Sequence, residues 1–314
     1  MTIKGYRVAP LVKKTAKEVL DDNVLGLAAQ TAYYFFFSLF PIFLFLAPLL
    51  GLVGDKYQTL NFILDQLRRA VPAEAFNLVA GVVRDVVFAP GAPGIVSVGA
   101  ALAIWSGAGV FSALMSALNE AYDVKETRPW WKQKLIAIAC LFIVGGLFVL
   151  ATVTMLGGED IVNWIADHLG IGGTSRYVWM VAQFALALAL LVGSGWVVYR
   201  MLPDVKQNPR HILVGALVAT ALWLVVTLAF RAYVQNFGSY NKTYGTIGGV
   251  IVLLTWMYLS MIVLLIGGEV ASELQHGTGA VTTRAGNTYY GRISNGGPTE
   301  RASVETVEPL AGTR

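Results

Sequence analysis

The sequence predicts an all-α membrane protein with six transmembrane helices and amphipathic helices in the first external loop. Three observations lead to this fold class. Only 13% of the 314 residues are charged, whereas soluble globular domains carry roughly 25%. The mean hydropathy is +0.62 and 56% of the residues are hydrophobic. The apolar residues also fall into six long runs without any Asp, Glu, Lys or Arg.

Each of these runs is long enough to cross a bilayer, which takes about 20 mostly apolar residues. The runs are residues 24–54, 86–119, 135–158, 177–199, 212–230 and 243–268. Cationic residues precede the first run, as in a signal peptide, but a signal core has only about 7–15 apolar residues. We therefore interpret the first run as an uncleaved anchor and predict one transmembrane domain over residues 24–276.

The distribution of Lys and Arg predicts the orientation, because such residues accumulate in cytoplasmic loops. Sixteen of the 23 Lys and Arg residues lie in the N-terminal segment, the second and fourth loops and the C-terminal tail. The other seven lie in the loops that alternate with these. Both chain termini are therefore predicted to be cytoplasmic, with residues 1–23 forming a cytoplasmic N-terminal segment.

Two segments outside the runs have their own character. In the first external loop, residues 55–85, apolar residues recur at helical spacing on both sides of Pro72. These are Leu60, Ile63, Leu64 and Leu67, then Phe76, Val79, Val82 and Val83. They predict amphipathic helices that either lie in the outer leaflet or pack on the bundle. Residues 277–314 are rich in Gly, Thr, Arg and Ser and predict a disordered cytoplasmic tail.

A polar stripe marks the second run. Ser112, Ser116, Asn119 and Asp123 are separated by four, three and four residues, which places them on one face of a helix. Such residues either join helices through hydrogen bonds or line a hydrophilic pathway. Asn119 discriminates best, because one backbone carbonyl cannot satisfy its amide. We expect it near the inner mouth, close to Arg200 or Glu269.

Further candidates lie in or at the ends of other runs. Proline removes a helical hydrogen bond and favours a kink, and Pro41 follows Ser38 by one turn in the first run. Arg200 and Glu269 lie at the predicted inner ends, and Arg231 and Tyr244 at the outer ends. The hypothetical substrate pathway therefore comprises Ser38, Pro41, Ser112, Ser116, Asn119, Arg200, Arg231, Tyr244 and Glu269.

No catalytic or metal site is predicted. On this topology His168 lies outside and His211 and His276 inside, so the three histidines cannot share one site. The spacing typical of zinc hydrolases and the glycine-rich phosphate loop are both missing from the sequence. The single cysteine, Cys140, allows no intrachain disulfide. We expect no cofactor and no enzyme activity.

Several segments resemble the YihY/BrkB family of bacterial inner-membrane proteins. The resemblance covers about residues 20–275 and rests on the order and spacing of its motifs. They are LAAQTAYYFFFSLFPIFLFLAPLLG at 27–51, SALMSALNEAYDV at 112–124 with Arg128 after it, YRMLP at 199–203, Tyr244-Gly245 and Gly267-Gly268-Glu269.

The resemblance implies a multi-pass protein of the bacterial inner membrane, in a family linked to virulence and serum resistance. Transport of a lipid or another amphiphile has been suggested for some members, and an older label called the family ribonuclease BN-like. We therefore expect a transporter or translocase of a lipid or other amphiphilic or anionic substrate. The alternative is a structural or partner-binding protein that supports envelope integrity or virulence. Membrane lipids are the expected partners, nucleic acid is not, and self-association stays open.

Overall fold

The structure, a computed structural model, describes the backbone of residues 2–3, 6–50, 92–169, 174–236, 241–277 and 281–289, with isolated positions between 61 and 81. Side chains are described for residues 11–42, 97–155, 181–235, 248–277 and 281–287, and at a few further positions. The amphipathic helices predicted for residues 55–85 fall almost entirely outside this part of the chain.

Helices dominate the described residues. They are α1 (Val8–Asp21), α2 (Val24–Leu50), α3 (Ala92–Ala121), α4 (Trp130–Leu169), α5 (Thr174–Met201), α6 (Pro209–Asn236) and α7 (Asn241–His276). Two short antiparallel pairs flank them: β1 (Thr2–Ile3) with β2 (Tyr6–Arg7), and β3 (Val281–Thr282) with β4 (Thr288–Tyr289). The all-α prediction is confirmed.

Six of these helices are long and apolar enough to cross a membrane, which confirms the six predicted spans. The candidate spans are Val24–Ile42, Ser97–Ala121, Trp130–Met155, Val181–Met201, Pro209–Gln235 and Gly248–His276. Large apolar side chains on them point outward: Phe142 is 60% exposed and Val181 71%. Such surfaces suit lipid rather than water, so the chain is a multi-pass membrane protein.

Two compact units make up the chain. The first comprises Met1–Asp22, Met115–Ala221 and Leu264–Arg314, and the second comprises Asn23–Leu114 and Leu222–Val263. In the second unit α6 and α7 are joined by Trp223, whose indole nitrogen donates to Ser260 Oγ at 3.1 Å and whose ring packs edge-on against Trp256.

Helices α6 and α7 touch backbone to backbone in the first unit. A Cβ added to Gly215 would lie 2.5 Å from the carbonyl oxygen of Gly267 and 2.8 Å from Ala271 Cβ. Glycine is required at such a contact because it has no Cβ. The hydroxyl of Tyr199 on α5 donates to the carbonyl of Leu264 at 2.5 Å, so three helices meet at this level.

The start of the predicted disordered tail is ordered. The amide of Lys206 donates to the carbonyl of Thr282 at 2.9 Å, and Val205 forms a β-bridge with Thr283. Val281 is fully buried, in one apolar cluster with Tyr122, Val124, Val205 and Ala271. Residues 281–289 therefore depart from the prediction, because one apolar residue in a polar tail has a buried place to occupy. The tail beyond residue 289 lies outside the described residues.

Candidate functional site

The polar residues of the first unit gather at one end, which we call the terminal face. It consists of α1, the α3–α4 loop, the α5–α6 loop, the last turns of α7 and the β3–β4 hairpin. Helix α3 ends at Ala121, and Asp123 adopts a left-handed conformation with φ of 53°, which Asp tolerates better than most residues. The chain thereby turns so that the following loop lies under the helix end.

Asn119, on the last turn of α3, fastens two loops together. Its side-chain nitrogen donates to Glu126 Oε2 at 2.8 Å, and its side-chain oxygen accepts the amide of Asp204 at 2.9 Å. The residue is 5% exposed. Both ends of the amide are therefore bonded within the protein, in what we call the loop network: Asn119, Glu126, Thr127, Arg128 and Asp204.

Arg128 forms the centre of this network. Its guanidinium donates Nε to Glu126 Oε1 and Nη2 to Oε2, both at 2.7 Å. The same group donates to the carbonyls of Leu202 at 2.6 Å and Met201 at 3.3 Å, at the end of α5. This two-pronged geometry is specific to arginine, and the side chain is only 4% exposed.

Asp204 closes the network from the α5–α6 loop. Its Oδ2 accepts the amide of Thr127 at 3.1 Å and also the Thr127 hydroxyl. Its Oδ1 lies 3.8 Å from Arg128 Nε, and the residue is fully buried. Two carboxylates therefore share one guanidinium, and the buried Oδ1 of Asp204 has no hydrogen-bond partner among the described residues.

The surroundings of Glu126 shift the pKa of its carboxyl. Burial alone raises the pKa of its carboxyl, but hydrogen bonds from Arg128 and Asn119 and the positive charge of Arg128 outweigh that effect. The net result is a pKa below the ordinary value of 4.5. The carboxylate form is therefore the form that the folded network binds.

Two further arginines lie beside the network. Arg284, in the β3–β4 turn, donates Nη2 to the carbonyl of Arg200 at 2.6 Å. Partial burial lowers the pKa of Arg284, and the positive charges of Arg128 and Arg200 lower it further. The carboxylates of Asp204 and Glu126 oppose this effect and raise the pKa of Arg284. Within the described part of the chain, neither Arg200 nor Arg284 forms an ion pair.

The first unit also contains a buried acid on α7. Glu269 is 1% exposed, and its Oε1 has no hydrogen-bond partner among the described residues. Tyr122 is fully buried with its hydroxyl likewise unpartnered. Burial raises the pKa of Tyr122, and the negative charge of Glu269 raises it further, which places the two groups near each other.

The other predicted pathway residues have separate surroundings. Ser38 is buried and donates to the carbonyl of Phe35 at 2.7 Å, and Ser112 donates to that of Ala108 at 2.9 Å. Ser116 is exposed although Asn119 is buried, so the residues of the predicted stripe do not share one environment. Helix α2 continues through Pro41.

The predicted outer residues are only partly visible. Arg231 is exposed near the end of α6. The Tyr244 side chain lies outside the described residues. Across the residues that the structure describes, no group of three or more His, Cys, Asp or Glu residues could hold a metal ion.

Sequence reasoning did not single out Glu126, Asp204, Tyr122 or Arg284. Each is a polar residue in or next to a loop, with no local pattern to distinguish it from a solvated surface residue. The usable signal was proximity to motif residues: Tyr122 lies within the motif that contains Asn119, and Asp204 directly follows YRMLP.

Comparisons with known proteins agree on the family. The model of the family described as virulence factor BrkB matches residues 15–288. The ribonuclease-like protein YfkH of Bacillus subtilis is 30% identical over 247 residues, covering 79% of this chain and 88% of that protein. A UPF0761 membrane protein of Aliivibrio salmonicida is 26% identical, covering 82% of this chain and 81% of its own.

A UPF0761 membrane protein of Xanthomonas campestris is 24% identical and is covered over only 59% of its length. No solved structure matches the chain. The family model spans all six candidate membrane helices and extends from the second half of α1 to the first residue of β4. This chain belongs to the BrkB family of membrane proteins.

Proposed function

We propose that this protein translocates a lipid or another amphiphilic anionic substrate in the bacterial inner membrane, with the terminal face and both chain termini in the cytoplasm. The observation that carries the proposal is the Arg200–Arg284 pair. These guanidinium groups act on each other, and neither forms an ion pair within the described chain, although the carboxylates of Asp204 and Glu126 act on Arg284 from a longer distance. Arginine binds phosphate through its planar donor fork, so the pair suits an anionic headgroup at the membrane surface.

Helix α6 supports the same function. It begins at Pro209 and ends at Asn236, a rise of about 42 Å, which exceeds the hydrocarbon thickness of about 30 Å. Arg210 and Arg231 are both exposed on it, one near each end. Cations near both ends of one helix would meet headgroups of both leaflets. Ser38, Pro41, Ser112, Ser116, Asn119, Tyr244 and Glu269 remain the hypothetical lining.

The test is lipid profiling of the purified protein, followed by flux of a headgroup-labelled anionic lipid in proteoliposomes. We expect enrichment of a phosphate-bearing lipid and flux above protein-free vesicles. Replacing Arg200 and Arg284 by Gln should weaken apparent affinity by roughly tenfold or more, because a hydrogen bond to a charged group contributes about 1.5–3 kcal/mol.

Lys132→Gln is the matched control, because Lys132 is exposed at the start of α4 and outside the site. It removes one positive charge, as each of the two Arg→Gln substitutions does alone, and should leave flux unchanged. Flux equal to that of protein-free vesicles, without lipid enrichment, contradicts the proposal. An equal loss in the control variant would instead assign the effect to overall charge.

One observation favours the alternative, a structural or partner-binding role. The charged groups of the loop network bond mainly to one another and to backbone, and Asn119 has both ends of its amide bonded within the protein. Such a network fixes shape without needing a substrate. Crosslinking in intact cells should then capture a defined partner or a second copy of the chain, while reconstituted vesicles show no flux.

We also propose that the chain is not a ribonuclease, although the name of one relative contains that term. Hydrolysis of a phosphodiester usually needs a metal cluster or a paired acid and base. Protein purified free of contaminating nucleases should leave RNA intact. Hydrolysis that disappears on replacing one acid or His of this chain would contradict this expectation.

A further inference from the structure

The carboxyl of Glu269 lies in a tightly packed part of the first unit. A Cβ added to Gly268 would lie 2.5 Å from Leu118 Cδ2, so α3 packs directly against α7 beside the acid. One residue earlier, Gly267 lies against α6. A Cβ added there would lie 2.8 Å from the carbonyl oxygen of Gly215. Protein therefore surrounds Glu269, which is 1% exposed.

The charges that face Glu269 are mainly negative. Glu18 and Asp22 act on it from α1 and the residue after α1, Asp123 from the end of α3, and Glu273 from the next turn of α7. The cation at this place is Lys14 of α1, but its ammonium lies 2.6 Å from Glu273 and is therefore already paired.

The neutral polar groups nearby do not donate a hydrogen bond to Glu269 either. The hydroxyl of Tyr199 donates to the carbonyl of Leu264, and Ser272 donates to the carbonyl of Ala121. His276 lies 3.1 Å from that same Ser272 hydroxyl. The fully buried hydroxyl of Tyr122 has no hydrogen-bond partner in the described chain, and the same is true of His276 Nε2 and of the Thr15 hydroxyl on α1.

An ionised carboxylate in this position would be unstable. Burying an unpaired charge costs several kcal/mol even after relaxation, and the nearby carboxylates add repulsion. A metal ion would need several ligands, and no suitable group of three exists among the described residues. A proton neutralises the carboxyl with the fewest requirements and converts it into a hydrogen-bond donor.

Helix α1 lies next to this acid. It contributes Lys14, which holds α1 on α7 through Glu273, and Glu18, which acts on Glu269. The ammonium of Lys14 is half-exposed, so this contact can open without unfolding a core. After α1 the chain turns at Asn23, whose φ is 51°.

We propose that the Glu269 carboxyl is a proton-binding site, covered by α1, that exchanges its proton with water when α1 leaves α7. The proton comes from the aqueous phase at the terminal face and binds to the Glu269 carboxyl. The Tyr122 hydroxyl lies close enough to interact electrostatically with that carboxyl. This site does not require translocation, and its test below does not measure flux. A transport step driven by protons would be one use of it.

The test is labelling of the full-length protein with dicyclohexylcarbodiimide. The reagent takes the acidic proton on nitrogen while the carboxylate oxygen adds to its carbon, and the adduct rearranges to a stable N-acylurea. An ordinary Glu, with a pKa of about 4.3, holds a proton at pH 7 in only roughly one molecule in several hundred. Labelling at about pH 7, located by fragmentation mass spectrometry, therefore identifies a carboxyl that retains its proton.

We expect labelling at Glu269 at least tenfold above that at Glu273, with loss of labelling as the pH becomes alkaline. Glu273 is the internal control, since it lies one turn away, is 8% exposed and pairs with Lys14. Absence of label at Glu269 at every pH contradicts the proposal. Protection by sodium or potassium chloride at constant pH would assign a cation to the site and also contradict it.

The role of α1 has its own variant. Lys14→Gln should speed labelling of Glu269 severalfold by releasing α1, whereas Lys13→Gln, at the exposed neighbouring position, should leave the rate unchanged. Equal rates of Glu269 labelling in the two variants would contradict the proposal that α1 covers this carboxyl. As a second measurement, the infrared carbonyl band of a protonated carboxyl should disappear in Glu269→Gln and persist in Glu273→Gln; a band unchanged in Glu269→Gln contradicts the assignment.

Discussion

Arg128 donates to both oxygens of Glu126 and to two carbonyl groups at the end of α5, so its removal takes four hydrogen bonds and the positive charge from the loop network. Breaking one side of a buried ion pair costs about 3–5 kcal/mol. We predict that Arg128→Gln lowers the free energy of unfolding in detergent micelles by about 3 kcal/mol. The free energy of unfolding of Arg128→Lys should lie between those of the wild type and Arg128→Gln, because lysine keeps the charge but lacks the planar fork.

The control for this prediction is Lys132→Gln, which removes an exposed charge four residues along the chain. Surface substitutions usually change stability by less than about 0.5 kcal/mol. Equal destabilisation by both variants would mean that Arg128 stabilises the fold only through its charge and that its hydrogen bonds in the network add nothing.

The shift at Glu126 predicts a dependence of stability on pH. The folded pKa lies below the ordinary value of 4.5, so the network stabilises the fold above that value and loses this contribution as the pH falls through the folded pKa. The melting temperature of the wild type should therefore exceed that of Glu126→Gln most at neutral pH. The difference should shrink below about pH 4.5. A difference that is constant with pH would contradict the cause assigned here.

The contact between α6 and α7 depends on two glycines that lie on different helices. We predict that Gly215→Ala destabilises the protein by about 1–3 kcal/mol, the usual penalty of overpacking, because its Cβ would lie 2.5 Å from a backbone oxygen that cannot rotate away. Thermal unfolding of the purified protein measures the effect.

Gly193→Ala on α5 is the matched control, since no atom lies within 4 Å of an added Cβ there. Alanine favours a helix by up to about 1 kcal/mol over glycine, so this variant should be neutral or slightly more stable. Similar losses at both positions would show that glycine itself, rather than the close contact, is what α5 and α6 require.

The helices were predictable because their apolar runs far exceed what chance or a soluble core produces. The ends of the helices were harder to predict. Helix α4 extends over Trp130–Leu169, beyond the predicted run 135–158, and α7 extends to His276, beyond the predicted run 243–268. Charge-free runs mark the lipid-facing part of a helix, but charged residues such as Glu269 and Glu273 fit an α-helix equally well. The acid cluster therefore lies on a helical extension that hydropathy alone does not show.

The contacts of the terminal face could not be predicted in the same way. Asn119 and the amide of Asp204 are 85 residues apart in sequence, and no local periodicity links them. The sequence did identify Asn119, because a buried amide must find partners, and it identified Arg200 and Glu269 by their place at helix ends. It could not show that Asn119 is bonded in the loop network while Glu269 is left unpartnered.

The arrangement of the molecule in the membrane is the remaining prediction. The excess of Lys and Arg places the α5–α6 loop inside and the start of α5 outside. In a Cys140→Ala background, Ser175→Cys should react with a membrane-impermeant maleimide added to intact cells. Lys206→Cys, at an exposed position, should react only after the membrane is permeabilised. The reverse pattern would invert the orientation and place the terminal face outside.

The pairing of residues 281–289 with the α5–α6 loop bears on how the protein can be shortened or fused. The β3–β4 hairpin beyond α7 supplies the carbonyl that accepts the amide of Lys206, and it supplies the buried side chain of Val281. A truncation at the end of α7 would remove it, expose Tyr122 and Val205, and leave a backbone donor open. We therefore expect a shortened chain to keep these contacts only if it extends through Tyr289, and a fusion tag belongs after that residue.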